Sequence, residues 1–167
     1  DQSNTTPHHC IHGFAQFLND KLGLAIQPSQ FCGDIYLSDE ERSWHSQVYE
    51  KTDKNVPFWV VDSGGKYDVT IKWWDQSRFQ AVVDYFRDRI LFVQVGAKKH
   101  HHPKLEGAID LRGETTLRQL IRLIHHSEGS LCGVTALMHL TAAVPLKTGD
   151  RLYRPCVVVA GAREPAH

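Results

Sequence analysis

The sequence predicts an α/β fold, a Rossmann-like three-layer domain with about five parallel strands and a helical N-terminal extension. From residue 57 onward, short apolar runs alternate with amphipathic stretches of helical period. One of these runs, residues 90–95, is almost wholly apolar, as expected for a strand that is covered on both faces. The chain has 167 residues, is 41% hydrophobic and carries no formal net charge. These values fit one globular domain and exclude a disordered chain or a dedicated nucleic-acid binder.

The first 56 residues are predicted to be helical and to precede the domain proper. Apolar residues recur at helical spacing from 11 to 22, after Thr6 as a cap and Pro7 at the first helical position, and Gly23 ends this helix. A capping-box pattern at Ser38 then begins a short helix that runs through Trp44 and Val48. We therefore expect a helical extension or linker over residues 1–56 and the Rossmann-like domain over residues 57–167.

The elements of the domain follow from apolar runs and capping signals. Strands are predicted at residues 58–61, 90–95, 108–111, 130–134 and 156–160. Helices are predicted where apolar residues have helical spacing, at residues 79–86 and 137–144 and in a stretch that begins with the Thr116 capping box. In that third helix we expect four side chains to be buried, namely Leu117, Leu120, Ile121 and Ile124.

Glycines, hydroxyls and lysines follow the predicted strands. Ligands bind beyond the carboxyl ends of the strands in an open parallel sheet, and helix N-termini there present free N–H groups to anions. We expect substrate contacts at Ser63 and Gly64 after the first strand and at Gly96 after the second. The pattern suits a phosphate-bearing nucleotide, although any one of these loops could simply be a turn. Neither a P-loop GxxxxGK[ST] nor a GxGxxG after the first strand is present, so separate groups must hold the phosphates.

Three segments together resemble glycosyltransferase family nine, the heptosyltransferase-like enzymes. The first is Phe58-Trp59-Val60-Val61-Asp62-Ser63-Gly64-Gly65 with Lys72-Trp73-Trp74, which is similar to the first strand, loop and Lys-Trp element of the family's nucleotide-sugar-binding half. The second, residues 109–120, is similar to the family's Gly-Lys-Thr-Ser-Leu-Arg-Glu-Leu segment. The third, residues 134–143, is similar to its Asp-Ser-Gly-Pro-Met-His-Leu-Ala-Ala-Ala segment.

The resemblance implies half of a GT-B fold that binds a nucleotide sugar such as ADP-heptose. It implies that Thr70 and Lys72 face the donor diphosphate, and that Thr135, Ala136 and His139 form the phosphate-side loop and helix start. From the residues alone, Lys72 could equally be a solvated surface lysine and His139 a buried packing residue. The implied partners are a nucleotide sugar donor, a lipopolysaccharide or protein acceptor, and an N-terminal GT-B domain or partner chain. No cofactor, metal or nucleic acid is implied, and the source would be bacterial.

Departures from the family pattern leave a second hypothesis open. The family's Asp and Gly in the third segment are Val134 and Ala136 here. The chain is also too short for two Rossmann domains, so we expect a fragment whose catalytic base is unknown and comes from a missing N-terminal domain. Such a fragment would be inactive alone. The alternative is a non-catalytic Rossmann-like module for assembly or nucleotide sensing.

The remaining signals concern location and metals. The four cysteines are widely spaced with no CxxC pair, which favours reduced thiols and a cytoplasmic location. The family resemblance adds the inner face of the inner membrane as an expected place of action. His100-His101-His102 lie in a polar loop, where we expect no dedicated metal site. Trp59, Trp73 and Trp74 are interpreted as packing residues, with stacking on a sugar or base as the alternative.

Overall fold

The protein is described by a computed structural model, which covers residues 10–29, 33–147, 149 and 151–160. The chain divides into two compact units, residues 1–33 and residues 34–167. In the first unit, helix α1 spans Cys10–Leu22. Gly23 follows it in the left-handed region with φ of +64° and donates its N–H to the carbonyl of Asn19 at 2.9 Å, as predicted for a helix end. The predicted start at Thr6 and Pro7 lies outside the described residues.

Two short helices open the second unit, where the sequence had predicted one. Helix α2 spans Asp39–Ser43 and α3 spans Gln47–Thr52. The predicted capping box at Ser38 is present, with Glu41 as its partner. Trp44 is extended, with φ of −62° and ψ of 141°, and the side chain of Ser46 accepts the N–H of Tyr49 to begin a new helix. The second cap therefore explains the break.

Five parallel strands form one sheet, which confirms the predicted fold class. They are β1 Phe58–Asp62, β2 Leu91–Gln94, β3 Ile109–Asp110, β4 Gly129–Gly133 and β5 Cys156–Val159. Their order across the sheet is β3-β2-β1-β4-β5. In register, Val60 of β1 lies between Val93 of β2 and Ser130 of β4. The chain therefore progresses from β1 in one direction and then returns to the other side of β1 to form β4.

Three longer helices cover the sheet: α4 Gln76–Phe86, α5 Leu117–His126 and α6 Ala136–Ala143. A 3-10 helix, Tyr67–Lys72, precedes α4 and was not predicted from the sequence. Residues 95–108 connect β2 to β3 without a helix. No helix was predicted between these two strands, and the connecting loop contributes to the site described below.

The sheet separates two apolar cores. Val60 packs in one cluster with residues of α3, α5 and α6, whereas its neighbour Val61 packs in the other with Phe79 and Val83 of α4. Successive residues of a strand point to opposite faces, so a strand covered on both faces is apolar throughout. Leu117, predicted to be buried in α5, is instead 63% exposed because it begins the helix at the rim of a cavity.

Helices α2 and α3 are joined to α5 by polar contacts. Arg118 forms an ion pair with Glu41, Arg122 pairs with Glu50 at 2.5 Å, and Gln47 donates to the carbonyl of Gln119 at 2.6 Å. Residues 34–56 thus belong to the same compact unit as the sheet. The boundary expected between residues 56 and 57 remains a prediction.

Buried Arg154 links the ends of α5 and α6. Its guanidinium donates to the carbonyls of Thr141 and Val144 at 3.1 and 3.0 Å, and to that of Pro145 at 3.1 Å. Longer bonds of 3.3–3.4 Å reach the carbonyls of Ser127 and His125. The cation therefore satisfies carbonyls that the ends of two helices leave without intrahelical partners.

No helix within the described part of the chain combines the length and the apolarity that a membrane crossing requires.

Candidate functional site

A cavity of about 410 Å³ opens at the carboxyl ends of β1, β2 and β4. These three strands are neighbours, and the strand order reverses at β1. A crevice forms where the connections on the two sides of such a reversal leave in opposite directions, and open α/β sheets bind ligands there. The volume is in the range of small-molecule sites. The cavity therefore lies where the sequence predicted a site.

The structure brings five of the eight predicted site residues together around this cavity: Gly64, Lys72, Gly96, Thr135 and Ala136. Lys66, which the sequence analysis did not single out, also lines it. The cavity wall thus combines two lysines, glycine backbone from the loops after two strands, and the beginning of a helix.

The other three predicted residues, Ser63, Thr70 and His139, do not line the cavity. Ser63 is buried and directs its hydroxyl to the carbonyl of Pro103 at 3.2 Å. Thr70 lies exposed in the 3-10 helix, where its carbonyl accepts the N–H of Trp73. His139 is exposed on α6, so it is not the buried packing residue that was the alternative.

The N-terminus of α6 lacks a side-chain cap. Its N-cap residue, Thr135, donates its hydroxyl to Oδ2 of Asp62 at 3.1 Å and makes no capping bond. By contrast, the Thr116 hydroxyl accepts the N–H of Gln119 at the start of α5, and the Gln119 side chain accepts the Thr116 N–H in the predicted capping box. The first-turn N–H groups of α6 therefore have no side-chain acceptor. Together with the helix dipole they favour an anion at this end of the cavity.

The His100–His102 segment is a fixed wall of the site and not only the polar loop that the sequence suggested. Gly65 and His101 form an antiparallel bridge, with N···O distances of 2.9 and 3.0 Å. Arg112, paired with Asp110, donates to the carbonyl of His102 at 2.6 Å. The bridge requires glycine at 64, because a Cβ there would lie 1.8 Å from the carbonyl oxygen of His101.

Gln94, which is fully buried, holds the next part of this loop. Its Nε2 donates to the Ser63 hydroxyl at 2.9 Å and to the carbonyl of Pro103 at 2.6 Å. Its Oε1 accepts the N–H of Leu105 at 2.8 Å. In the structure Ser63 is therefore a support for the loop.

The tryptophans divide between packing and the site. Trp74 packs edge-on against Phe79, with ring centroids 5.0 Å apart, as the packing interpretation predicted. Trp73 lines the cavity and stacks on His101 at 4.2 Å with an interplanar angle of 19°. Trp73 therefore holds the bridged loop from the side, in addition to forming part of the cavity surface.

The floor of the cavity holds an acid–imidazole pair that the sequence did not predict. Asp62 and His102 both line the cavity, and Nδ1 of His102 lies 2.9 Å from Oδ1 of Asp62. This is an ion-pair distance, although the ring N–H is not aligned for a hydrogen bond, and Nε2 has no hydrogen-bond partner among the described residues. A Cβ at Gly96 would lie 2.3 Å from the His102 ring, so glycine there makes room for it. That glycine was the only sequence signal for the pair.

Metal binding receives no support from the described residues, which contain no group of three or more His, Cys, Asp or Glu side chains placed to hold an ion. Cys132 and Cys156 are free thiols.

The fold is similar to that of solved glycosyltransferase structures. The chain aligns over 95% of its length with a glycosyl transferase family 9 structure from Veillonella parvula DSM 2008, with a TM-score of 0.68 and 17% identity. It aligns over 81% of its length with E. coli ADP-heptose lps heptosyltransferase II, with a TM-score of 0.58 and 19% identity. The alignments cover 46% and 47% of those chains, so this chain spans about half their length. No curated protein matches its sequence significantly.

The sequence model of glycosyltransferase family 9 (heptosyltransferase) matches residues 4–148. This range includes the cavity-lining ends of β1, β2 and β4, the start of α6, and all three segments on which the resemblance was recognised. The chain therefore belongs to glycosyltransferase family 9.

Proposed function

We propose that this chain is the donor-binding half of a heptosyltransferase-like glycosyltransferase, with the diphosphate of a nucleotide sugar in the β1–β2–β4 cavity. One observation carries the proposal: Lys72 and the start of α6, which has no side-chain cap, face the same cavity at the strand-order reversal. A lysine supplies a compact charge, and helix N–H groups supply directed donors. Both suit the charge that develops on a leaving diphosphate during sugar transfer.

The donor that we propose is an ADP-linked sugar, because the E. coli structural neighbour is an ADP-heptose heptosyltransferase. Transfer would be to a lipopolysaccharide or protein acceptor. A lipopolysaccharide acceptor would place the reaction at the inner face of the inner membrane.

We further propose that the base which activates the acceptor hydroxyl belongs to a separate N-terminal domain or partner chain. Among the described cavity-lining residues, Asp62 has the only carboxylate. Its oxygens already contact Thr135 and His102. A general base must reach the acceptor proton within hydrogen-bond distance, and Asp62 is committed elsewhere.

Calorimetry with ADP, UDP, GDP and ADP-glucose tests the binding proposal on the 167-residue chain. Lys72→Ala should weaken diphosphate binding by about 1.5–3 kcal/mol, the usual cost of losing a charged hydrogen bond. Lys54→Ala is the control, because Lys54 is exposed and does not line the cavity. Equal affinity in the two variants would remove Lys72 from the site. Failure of all four nucleotides to bind would favour the non-catalytic module.

A coupled assay for released nucleoside diphosphate tests the assignment of the base. The chain alone should show no acceptor-dependent release, and addition of an N-terminal domain should restore it. Turnover by the chain alone at about 1 per second or faster, an ordinary enzymatic rate, would show that the base is already present.

A further inference from the structure

A carboxylate at the floor of a diphosphate site needs an explanation. Asp62 is 8% exposed and lines the cavity in which we place the donor diphosphate. An unpaired carboxylate there would repel the ligand, because like charges interact strongly where water is excluded. The partners of Asp62 therefore bear directly on what the cavity can bind.

His102 is the cationic partner that the structure offers to Asp62. The two side chains are 6% and 11% exposed, and their closest atoms, Nδ1 and Oδ1, are 2.9 Å apart. The remaining contacts of the Asp62 carboxylate are neutral donors, the Thr135 hydroxyl at 3.1 Å and the N–H of Gly64 at 3.4 Å. The net charge of the buried pair therefore depends on whether His102 carries a proton.

Other charged or titratable groups around the pair come from several elements. Lys66 and Lys72 line the cavity, the His100 ring lies 6.0 Å from the His102 ring, and Cys132 of β4 is in register with Asp62. Arg112 reaches the carbonyl of His102, but its charge is paired with Asp110 at 2.7 Å. The described cavity-lining residues of the α5 and α6 segments, at 115–117, 120 and 134–137, carry no titratable side chain.

We propose that His102 sets the affinity of the cavity for an anionic donor, acting through the charge state of the Asp62–His102 pair. With His102 protonated the pair is neutral, and the cavity presents the positive ends of Lys72 and α6. With His102 neutral the Asp62 charge is uncovered and repels the diphosphate. The proposal rests on the proposed function, since it takes the ligand of this cavity to be a diphosphate.

The sign of the pH dependence follows directly. Histidine gains its proton as the pH falls through the neutral range. The affinity for a nucleotide sugar should therefore rise as the pH falls, by about tenfold between pH 8 and pH 5.5 at low salt. Binding should also take up protons in the pH range over which the affinity changes.

Calorimetry with ADP-glucose, UDP-glucose and GDP-mannose measures both effects. In a nucleotide sugar each phosphate has one ester and one anhydride bond, so the probe does not titrate in this range as the terminal phosphate of ADP does. Titration in two buffers of different ionisation enthalpy gives the proton uptake. His102→Gln should bind weakly at all pH values and take up no proton. His45→Gln is the control, because His45 is exposed and does not line the cavity, and it should keep the wild-type pH dependence.

Asp62→Asn separates electrostatics from structural support. Asn keeps an oxygen that can accept the Thr135 hydroxyl but removes the negative charge. This variant should bind at pH 8 at least as tightly as the wild-type protein binds at pH 5.5, whereas a merely structural role predicts weaker binding at every pH. Circular dichroism confirms that each variant is folded.

The possible outcomes distinguish this inference from the proposed function. Nucleotide-sugar binding without pH dependence, or a pH dependence that is kept in His102→Gln, would overturn the role of His102 and leave the donor site intact. Failure of all three nucleotide sugars to bind at every pH would overturn both.

Discussion

Replacing Gly64 by alanine should open the bridge that holds the His100–His102 wall. The new Cβ would lie 1.8 Å from the carbonyl oxygen of His101, where a normal contact is about 3.5 Å. The two backbones must therefore separate by roughly 1.5 Å. Such a movement is too large for the Gly65–His101 hydrogen bonds of 2.9 and 3.0 Å to survive.

The expected magnitude follows from these contacts. Overpacking of a close contact costs about 1–3 kcal/mol, and each lost hydrogen bond about 0.5–1.5 kcal/mol. With two bridge hydrogen bonds lost, we expect Gly64→Ala to lower the free energy of unfolding by about 2–6 kcal/mol. Because His102 would move with the loop, affinity for ADP-glucose should fall at least about tenfold.

Urea denaturation followed by circular dichroism measures the loss of stability, and Gly65→Ala is the matched control. At position 65 the nearest atom to a new Cβ is Nε1 of the Trp73 side chain at 3.2 Å, which can give way by a few tenths of an ångström. The control should therefore lose less than about 1 kcal/mol. A Gly64→Ala protein within about 0.5 kcal/mol of the wild type, with unchanged ligand affinity, would refute the reasoning.

Further predictions concern stability. Arg154→Met should lower the free energy of unfolding by about 3 kcal/mol, because it leaves buried carbonyls without a donor. The loss is partly offset because the substitution removes a buried charge, whose burial lowers the pKa of Arg154 to about 10. Exposed Arg151→Met should cost less than about 1 kcal/mol in the same urea titration. Burial lowers the pKa of His126 to about 4, so the unfolded chain binds more protons than the folded one below pH 6.5, and stability should fall as the pH drops from 6.5 to 4. Urea titrations across that range should show a shallower fall for His126→Gln, and an equal fall would exclude His126 as the cause. Thr116→Ala should lower the free energy of unfolding by about 1 kcal/mol, because it removes the cap of α5. The melting temperature should fall accordingly, and an unchanged melting temperature would contradict this role.

The elements predicted from sequence were those whose signals are local. Buried parallel strands are apolar runs, and a capping box such as that at Thr116 lies within four residues. The strands, the helices and the parallel direction of the strands were therefore predictable, whereas the order of the strands in the sheet was not predicted. The break at Trp44 was missed because the apolar spacing continues through it and the second serine cap carries little signal by itself.

The location of the site was predictable, but the direction of each side chain was not. Gly64, Gly96 and Thr135 follow strands, and a sheet edge collects such residues whatever their side chains do. Ser63 turns instead towards Gln94, 31 residues away. Likewise, Asp62 and His102 are 40 positions apart. They meet because the loop after β2 forms a bridge with Gly65, just beyond β1, and no periodic pattern records that contact.

The position of helix α6 is fixed at its C-terminal end, which is the end remote from the cavity. Its eight residues extend about 12 Å, and Arg154 donates hydrogen bonds to the carbonyls of Thr141 and Val144 where the helix ends. Any sliding of the helix along its axis would carry its first-turn N–H groups by the same distance. The position of the N–H groups in the proposed anion site is therefore determined by contacts one full helix length away from the anion. A substitution at residue 154 should therefore change the affinity through the position of the helix, although residue 154 does not itself line the cavity.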